Sequence, residues 1–286
     1  MRPANIVTSV ADVLAGITIS GFCILPITRE NNLLPVLYLC ISTIGLYGGG
    51  VVYNDVFDAD LDAVERPERP IPSGLVTRKQ AAILGAFLLL IGIISALLTG
   101  LVSGLIAVAI SLAALLYDKW GKHHSLLGPL NMGLCRGLNL LLGISIFVSS
   151  LTSWWFLASI PVIYIASITM ISRGEVHGGG RPLLYTASFF YVLVIGSILY
   201  FAWTKQNRII TPVILFFFSW MIFRPLLSAI RQPIGKNIGK AVKAGVIALI
   251  LMDASLAAAF GSLYMALVII LLLPVSLWLS GLFAVT

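Results

Sequence analysis

Long apolar stretches recur along the whole chain, and they limit its fold more than any other feature. Many of them approach the ~20 residues that a helix needs to cross the hydrocarbon core of a bilayer. Of the 286 residues, 59% are hydrophobic and only 10% are charged. A soluble globular domain has about 25% charged residues, so this chain could not cover a water-facing surface with polar groups. The sequence therefore predicts an integral membrane protein.

The apolar stretches are expected to be helical, because a backbone in lipid must satisfy its hydrogen bonds within its own segment. The alternating pattern that is typical of a transmembrane β-barrel is absent. We therefore predict an all-α fold, a polytopic membrane helical bundle of nine or ten transmembrane helices in a single domain over residues 1–286. The predicted spans are 9–28, 33–56, 80–100, 101–117, 126–148, 153–171, 183–203, 209–230, 240–260 and 262–282.

The basic residues are distributed unevenly between the loops. Of the eighteen Lys and Arg residues, thirteen lie at the N-terminus or in the loops after the second, fourth, sixth and eighth spans. The positive-inside rule then predicts a cytoplasmic N-terminus and cytoplasmic polar loops. Membrane lipid is the expected partner of these residues, because anionic headgroups attract them. The net charge of +7 therefore requires no nucleic-acid partner.

The acidic residues are concentrated in "NDVFDADLDAVERPERPIPSG", residues 54–74, which holds six of the eleven in the chain. Asn54, Asp58 and Asp62 are spaced four apart and Asp55 precedes Asp62 by seven, so a helix would project all four from one side. Like charges crowded beside a membrane repel each other. Mg²⁺ binds in such places through one or two carboxylates together with substrate phosphates.

The acidic stretch therefore predicts a magnesium and diphosphate site, with Arg66 and Arg69 directly behind it. The alternative interpretation is a solvated acidic loop that the two arginines balance.

The same stretch resembles a known family signature. "NDVFDADLD" is similar to the Asn-Asp-x-x-Asp-x-x-x-Asp motif of UbiA-type intramembrane prenyltransferases, and "RPERPIPSG" is similar to the segment that follows it there. The stretches "YDKWGKHHSLLGPLNMGLCRGLNLLLG" and "IGKAVKAGVIALILMDASLA" resemble a UbiA-like branch called EboC. The resemblance implies a bundle around a central cavity, where Mg²⁺ holds a polyprenyl diphosphate donor. The isoprenoid chain would pass to a small acceptor, aromatic or otherwise lipophilic.

The resemblance also implies roles for individual residues. Asn54, Asp55, Asp58 and Asp62 would hold the metal, and two of these, Asp58 and Asp62, would be catalytic. Arg66 and Arg69 would steady the diphosphate or the loop. In the loop after the fourth span, the family often has a Tyr and a Lys that contact the diphosphate. The resemblance implies that Tyr117 and Lys122 would be the corresponding catalytic residues, although they are one residue farther apart than expected.

The loop after the sixth span departs from the family pattern. The family usually has a second Asp-rich motif there, whereas this loop reads "ISRGEVHGGGRP" and has Glu175 as its one carboxylate. We expect Glu175 to contribute to the metal site and Arg173 and Arg181 to help neutralise the diphosphate. The missing motif leaves open a second interpretation, a non-catalytic carrier of a lipid or precursor on the same scaffold.

The fifth predicted span, 126–148, contains an arginine and, three residues later, an asparagine. An arginine inside an apolar helix is costly and normally faces a partner or a wet cavity. We therefore predict that Arg136, and Asn139 on the same helix face, line the cavity and contact substrate. The alternative is that Arg136 forms an ion pair with Asp12 or Asp253, which also lie in predicted spans.

Overall fold

The computed structural model describes residues 3–24, 33–121, 124, 126–175, 178 and 180–282. In these ranges the chain forms thirteen α-helices and no β-strand. The α-helices are α1 (Pro3–Ile19), α2 (Leu34–Phe57), α3 (Ala59–Glu65), α4 (Arg78–Thr99), α5 (Leu101–Lys119), α6 (Leu127–Ile144), α7 (Val148–Trp154), α8 (Ser159–Ser172), α9 (Arg181–Thr204), α10 (Ile210–Arg231), α11 (Gly235–Ala259), α12 (Leu263–Ile270) and α13 (Leu272–Leu282).

Eight helical segments are long and apolar enough to cross a bilayer. They are Leu34–Phe57, Arg78–Thr99, Leu101–Lys119, Val148–Ser172, Arg181–Thr204, Ile210–Arg231, Gly235–Ala259 and Leu263–Leu282. Two more helices run through the same bundle: α1 has 17 residues, and the 18-residue α6 is less apolar because it carries Arg136 and Asn139. The described residues therefore provide up to ten crossing segments, and the prediction of a polytopic all-α membrane bundle is confirmed.

The first predicted span, 9–28, was wrong in its position. Helix α1 begins at Pro3 and ends at Ile19, where Ser20 Oγ donates a hydrogen bond to the carbonyl oxygen of Ile17 at 2.6 Å. Gly21 then adopts a φ of 86°, a left-handed conformation that commonly ends helices. Hydropathy alone does not register this turn, because the residues around it are apolar. Residues 25–28 of the predicted span lie outside the described residues.

Three other predicted spans differ in detail. The span predicted as 126–148 ends earlier, at Ile144, where the chain turns before α7. The span predicted as 153–171 starts earlier, at Val148, and contains a 3₁₀ segment over Trp155–Ala158. The span predicted as 262–282 is divided at Leu271 into α12 and α13. Hydrophobicity predicts that a segment crosses the membrane, whereas the breaks depend on local backbone hydrogen bonding.

The centre of the bundle is occupied by α1 and α11, which pack against each other. Every residue of α1 from Ala11 to Ile19 is buried. In α11, 83% of the residues in its apolar 18-residue stretch are buried. Other helices pack around this pair: α1 also contacts α2, α6 and α13, while α11 contacts α8, α9, α10 and α12. Helices α4 and α5 pack on the outside, against α2 and α6. A helix that is apolar on all sides is expected in such a central position.

The loops that follow odd-numbered spans lie at one end of the bundle, and those that follow even-numbered spans lie at the other end. At one end, Arg173 donates to the carbonyl oxygen of His124 at 2.7 Å, which joins the loops before α9 and α6. At the other end, Ser150 Oγ donates to the carbonyl oxygen of Ser20 at 2.8 Å, and Asn207 Nδ2 donates to that of Ala259 at 3.0 Å. The predicted alternation of the loops is present; the cytoplasmic assignment of one end stays a prediction.

Helices α1 and α6 approach each other closely at two glycines, Gly16 and Gly143. A Cβ atom on Gly16 would overlap the carbonyl oxygen of Leu140, and one on Gly143 would overlap the carbonyl oxygen of Val13. Small residues at helix contacts allow this kind of backbone approach within membranes. The contact brings the polar residues of α1 and α6 into reach of each other.

We expect Gly16→Ala to destabilise the protein by about 1–3 kcal/mol, because the added methyl meets backbone atoms that cannot rotate away. The measurement is unfolding of the detergent-solubilised chain by heat or denaturant. Gly196→Ala in α9 is the matched control, since no atom lies within 4 Å of the added Cβ there. The control should be neutral or slightly stabilising, as Ala is favoured over Gly in helices. Equal losses in both variants would contradict the proposed role of the close contact.

Candidate active site

The acidic stretch lies where α2 passes into α3. Helix α2 ends at Phe57, and Asp58, with φ −87° and ψ 0°, is the junction residue. Hydrogen bonds of helical spacing continue through the bend: the N–H of Asp58 donates to the carbonyl of Asn54 at 2.9 Å, and that of Asp62 to Asp58 at 2.8 Å. The predicted continuous helical stripe is therefore interrupted at Asp58. Asp58 therefore lies at the bend between the membrane helix α2 and the short helix α3 at the end of the bundle.

Arg69 neutralises two of the predicted metal ligands. Its NH1 lies 2.6 Å from Asp62 Oδ2 and 3.5 Å from Asp55 Oδ1. Asp62 is buried, with a relative exposure of 5%, and is not part of the cavity lining described below. The ion pairs with Arg69 are the balancing by arginine that the alternative expects, although Asp62 is buried rather than solvated. The roles of Asp55 and Asp62 as metal ligands stay predictions.

The loop that carries Arg69 is folded back onto the bundle. The N–H of Ser73 donates to the carbonyl of Arg69 at 2.9 Å, and the N–H of Val76 donates to that of Pro70 at 3.1 Å. Ile71 and Val76 pack against the buried residues Val52, Val56 and Ala81 of α2 and α4. Hydrophobic packing and turn hydrogen bonds thus place the guanidinium of Arg69 over the end of α2.

A cavity of about 310 Å³ lies between α2, α5 and α6. Polar side chains converge at the end nearest α3, where Asn54 Nδ2 donates to Asp118 Oδ1 at 3.0 Å. Asp58 and Tyr117 also line this polar end, and the adjoining body of the cavity is mainly apolar. The body is lined by Leu46, Gly50, Val51, Ile110, Ala114, Met132 and Cys135.

The opposite, deep end of the cavity is polar again. It is lined by Thr43 and Tyr47 of α2 and by Arg136 and Asn139 of α6. The guanidinium carbon of Arg136 lies 5.1 Å from the centre of the Tyr47 ring, a distance at which a cation–π attraction acts. Arg136 and Asn139 therefore occupy the positions on the cavity wall that the sequence predicts.

The alternative prediction for Arg136, an ion pair with Asp12, is also correct. Arg136 NH1 lies 2.8 Å from Asp12 Oδ2, and its NH2 donates to Thr8 Oγ1 at 2.7 Å. Asn139 Nδ2 donates to the same Asp12 Oδ2 at 3.1 Å. Asp12 is thus the shared acceptor that holds both cavity-wall residues.

Asn139 also connects the cavity wall to two other helices. Its Nδ2 donates to the carbonyl oxygen of Ser9 in α1 at 2.7 Å, and its Oδ1 accepts from Thr43 Oγ1 of α2 at 2.8 Å. Inside a membrane, polar side chains are normally paired in this way because an unsatisfied group is costly. The network fixes the relative positions of α1, α2 and α6 around the deep end.

The donor set at the polar end fits Mg²⁺ in one specific manner. Asp58 and Asp118 supply two carboxylates and Asn54 supplies an amide, all of them oxygen donors of the kind that Mg²⁺ prefers. Across the described part of the chain, no group of three or more His, Cys, Asp and Glu residues is arranged to hold a metal ion. A Mg²⁺ ion here would therefore need oxygen atoms from a bound phosphate to complete its coordination.

Several predicted site residues lie away from the cavity. Among the described residues, the lining does not include Arg66, Arg173, Glu175 or Arg181. Arg66 and Arg181 are exposed, Arg173 is engaged with the carbonyl of His124, and Glu175 is partly buried. The contribution of Glu175 to a metal site stays a prediction. Lys122 lies outside the described residues.

Asp118 is the site residue that the sequence analysis missed. It follows Tyr117 at the end of α5, and it is 5% exposed. A signal was available, since acidic residues are rare in so apolar a chain and Asp118 directly follows the predicted span 101–117. Its contact with Asn54 depends on how α5 packs against α2, which the sequence pattern does not specify.

The fold and the cavity together define a polytopic membrane protein with an internal site that is acidic at one end and apolar along its body. Residues 14–232 match the model of the UbiA prenyltransferase family. The chain belongs to this family. The more specific similarity to the EboC branch stays a prediction.

Several similar proteins are named digeranylgeranylglyceryl phosphate synthases. The one from Sulfurisphaera tokodaii is 32% identical over 157 residues, which are 54% of this chain and 56% of the relative. The one from Methanosarcina mazei is 38% identical over 119 residues, 40% of this chain and 41% of the relative. The chain therefore spans about half the length, or less, of the curated relatives it matches.

Two solved structures share the fold. A UbiA homologue from Aeropyrum pernix K1 superimposes with a TM-score of 0.72 at 18% identity, over 89% of this chain and 98% of that one. A digeranylgeranylglyceryl phosphate synthase gives a TM-score of 0.66 at 20% identity, over 90% and 94% of the two chains. These likenesses confirm the UbiA-like bundle.

Proposed function

We propose that this protein is a Mg²⁺-dependent intramembrane prenyltransferase that moves an isoprenoid chain from a polyprenyl diphosphate to a small acceptor. One observation carries the proposal: Asn54, Asp58 and Asp118 meet at one end of a cavity whose body is apolar. An isoprenyl diphosphate has the same division, with a charged head and an apolar chain. Membership of the UbiA prenyltransferase family supports this reaction class.

In the proposed reaction, the C1–O bond of the donor breaks and its electron pair leaves with the diphosphate. The acceptor forms a bond to C1 and loses a proton. Bound Mg²⁺ would supply charge stabilisation for the departing diphosphate. Asp58, Asp118 and Asn54 would position that head group, while Leu46, Val51 and the other apolar lining residues exclude water from the developing allylic cation.

The acceptor is proposed to be a small molecule with a polar head. The family resemblance favoured an aromatic acceptor. The two relatives described above are instead named as synthases of a glyceryl phosphate lipid. The deep end of the cavity is lined by the hydroxyl groups of Thr43 and Tyr47, which suit a hydroxyl-bearing acceptor. We place an isoprenyl glyceryl phosphate first and an aromatic acid second.

The test uses the full chain in lipid nanodiscs with a radiolabelled polyprenyl diphosphate and either acceptor. We expect a labelled, extractable product that requires Mg²⁺ and disappears when the metal is chelated. The acceptor that yields product decides between the two classes. A donor that stays intact with both acceptors, at several chain lengths, would refute the proposed transfer.

A non-catalytic carrier is the second candidate. The observation in its favour is that Arg173, Glu175 and Arg181 do not reach the cavity, so the second acidic motif of the family has no counterpart there among the described residues. A carrier would bind the labelled donor saturably and move it between vesicles unchanged. Mass spectrometry of the recovered ligand separates the two functions, because only the transferase alters it covalently.

Asp118→Asn is expected to weaken Mg²⁺-dependent binding of inorganic pyrophosphate about tenfold to a hundredfold. The substitution removes a negative charge from the polar end of the cavity. It also turns the charge-assisted hydrogen bond between Asn54 and residue 118, worth about 1.5–3 kcal/mol, into a weaker neutral one. Isothermal titration of the purified chain measures the change. The control is Glu68→Gln, an exposed residue of the loop before α4, which should bind like the wild type. Unchanged binding by Asp118→Asn would remove Asp118 from the site.

A further inference from the structure

Three ionisable side chains meet inside the bundle, away from the acidic end of the cavity. Asp12 of α1 is 0% exposed, Asp253 of α11 is 1% exposed and Arg136 of α6 is 5% exposed. The proposed reaction makes no use of Asp253. The group comprises two carboxyl groups and one guanidinium, so full ionisation would leave one negative charge without compensation.

The hydrogen bonds of Asp12 leave one of its oxygen atoms open. Oδ2 accepts from both Arg136 NH1 and Asn139 Nδ2, while Oδ1 has no hydrogen-bond partner. Neither carboxyl oxygen of Asp253 has a partner. Asp12 and Asp253 are both buried and lie on α1 and α11, which pack against each other, and their carboxyl groups are close enough for a side-chain hydrogen bond between them. Two ionised carboxylates are acceptors only, so such a bond requires a proton on one of them.

The surroundings of Asp253 provide no other cation among the described residues. Arg136 reaches this region but directs NH1 to Asp12 and NH2 to Thr8. Tyr164 of α8 donates its hydroxyl to the carbonyl oxygen of Gly245, and the neighbouring Tyr191 of α9 is neutral in its phenol form. The described lysines and arginines of α10 and α11 are exposed, and α12 and α13 have none.

The cost of a bare charge decides between the possible ionisation states. Burying an uncompensated carboxylate in the membrane interior costs several kcal/mol, and such a group takes up a proton instead. One proton on the pair gives a neutral set, formed by Arg136⁺, Asp12⁻ and an uncharged Asp253.

We propose that Asp12 and Asp253 form an internal proton-binding site, in which the carboxylic acid of Asp253 donates its O–H to Oδ1 of Asp12. The proton fixes the open oxygen of Asp12, while Arg136 and Asn139 hold the other. Asp253 is therefore a positioning residue for the two side chains on the cavity wall, although it does not line the cavity itself.

Infrared spectroscopy of the full chain in nanodiscs tests the proton directly. At neutral pH the wild type should show the carbonyl stretch of a protonated carboxylic acid, and Asp253→Asn should remove it. Asp60→Asn is the control, because the Asp60 side chain is 86% exposed and lies outside this buried group, so its loss should leave the band unchanged. A wild type without this band, or a band that Asp253→Asn leaves intact, would overturn the proposal.

Thermal unfolding distinguishes a proton from a metal cation at the same position. Asp253→Asn keeps a neutral hydrogen-bond donor, so its Tm should lie within about 2 °C of the wild-type Tm. Replacing Na⁺ by choline at constant ionic strength should leave the wild-type Tm unchanged. A Tm that rises with Na⁺ concentration would assign the site to Na⁺ and refute the proton. The wild-type spectrum and the Na⁺ series decide the matter even if the variant fails to fold.

Discussion

Asp58→Ala is expected to reduce the rate of prenyl transfer by at least about 100-fold, the scale of loss that follows removal of one group stabilising a transition-state charge. Asp58 is the one carboxylate of the first acidic motif that lines the cavity, since Arg69 engages Asp62 and Asp55. Its loss would leave Asp118 as the remaining carboxylate at the polar end. The measurement is the initial rate of product formation in nanodiscs at saturating donor and Mg²⁺.

Asp60→Ala provides the matched control, two residues away in the same stretch. The Asp60 side chain is 86% exposed, and an ion pair joins it to the half-exposed Arg78 at 3.2 Å. Exposed pairs of this kind contribute about 0.2–1 kcal/mol to stability. The rate of this variant should stay within about twofold of the wild type. A similar loss in both variants would show that bulk negative charge, rather than the cavity position of Asp58, supports the reaction.

The fold class was predictable because it follows from bulk properties of the chain. Apolar segments of bilayer length leave helices as the solution for the backbone, whatever their detailed packing. The ends of the helices were less predictable: the turn at Gly21 and the break at Leu271 interrupt apolar sequence without a change in hydropathy. Hydrophobicity reports which segments avoid water, whereas helix ends are decided by a few backbone hydrogen bonds.

The candidate site was predictable where its residues are close in sequence. Asn54 and Asp58 are four apart on α2, so their common direction follows from helix geometry, and both line the cavity. The same geometry did not predict that Asp62 lies outside the cavity lining, where the folded-back loop brings Arg69 against it. Asp118 was missed for a related reason. It lies sixty-four positions from Asn54 in the chain, and the two side chains meet only because α2 packs against α5.

The partner of Arg136 shows how two alternative predictions can both hold. An intramembrane arginine requires either a wet cavity or a counter-charge, and the sequence did not decide between them. In the structure, Arg136 lies on the cavity wall and its NH1 is bound by Asp12, which approaches because Gly16 and Gly143 allow α1 and α6 to touch. The packing of small residues thus determines the electrostatics of the deep end.

The largest stability effect is expected for Arg136→Met. The substitution keeps most of the side-chain volume but leaves Asp12, at 0% exposure, without its counter-charge. Removing one partner of a buried ion pair typically costs about 3–5 kcal/mol, because the remaining carboxyl group must either keep an uncompensated buried charge or take up a proton. Unfolding in detergent, followed by circular dichroism against denaturant, measures the loss. The control is Arg224→Met, since Arg224 is exposed on α10 and should contribute less than about 1 kcal/mol.

A second substitution separates the uncompensated charge from the lost packing. Adding Asp12→Asn to Arg136→Met removes the stranded carboxylate, so the double variant should recover a large part of the loss, and the two effects should be clearly non-additive. If the two single losses are large and simply add up in the double variant, the two side chains act independently. The ion pair at 2.8 Å would then not organise the deep end of the cavity. Recovery would instead identify charge balance as the condition under which an arginine can lie in this apolar bundle.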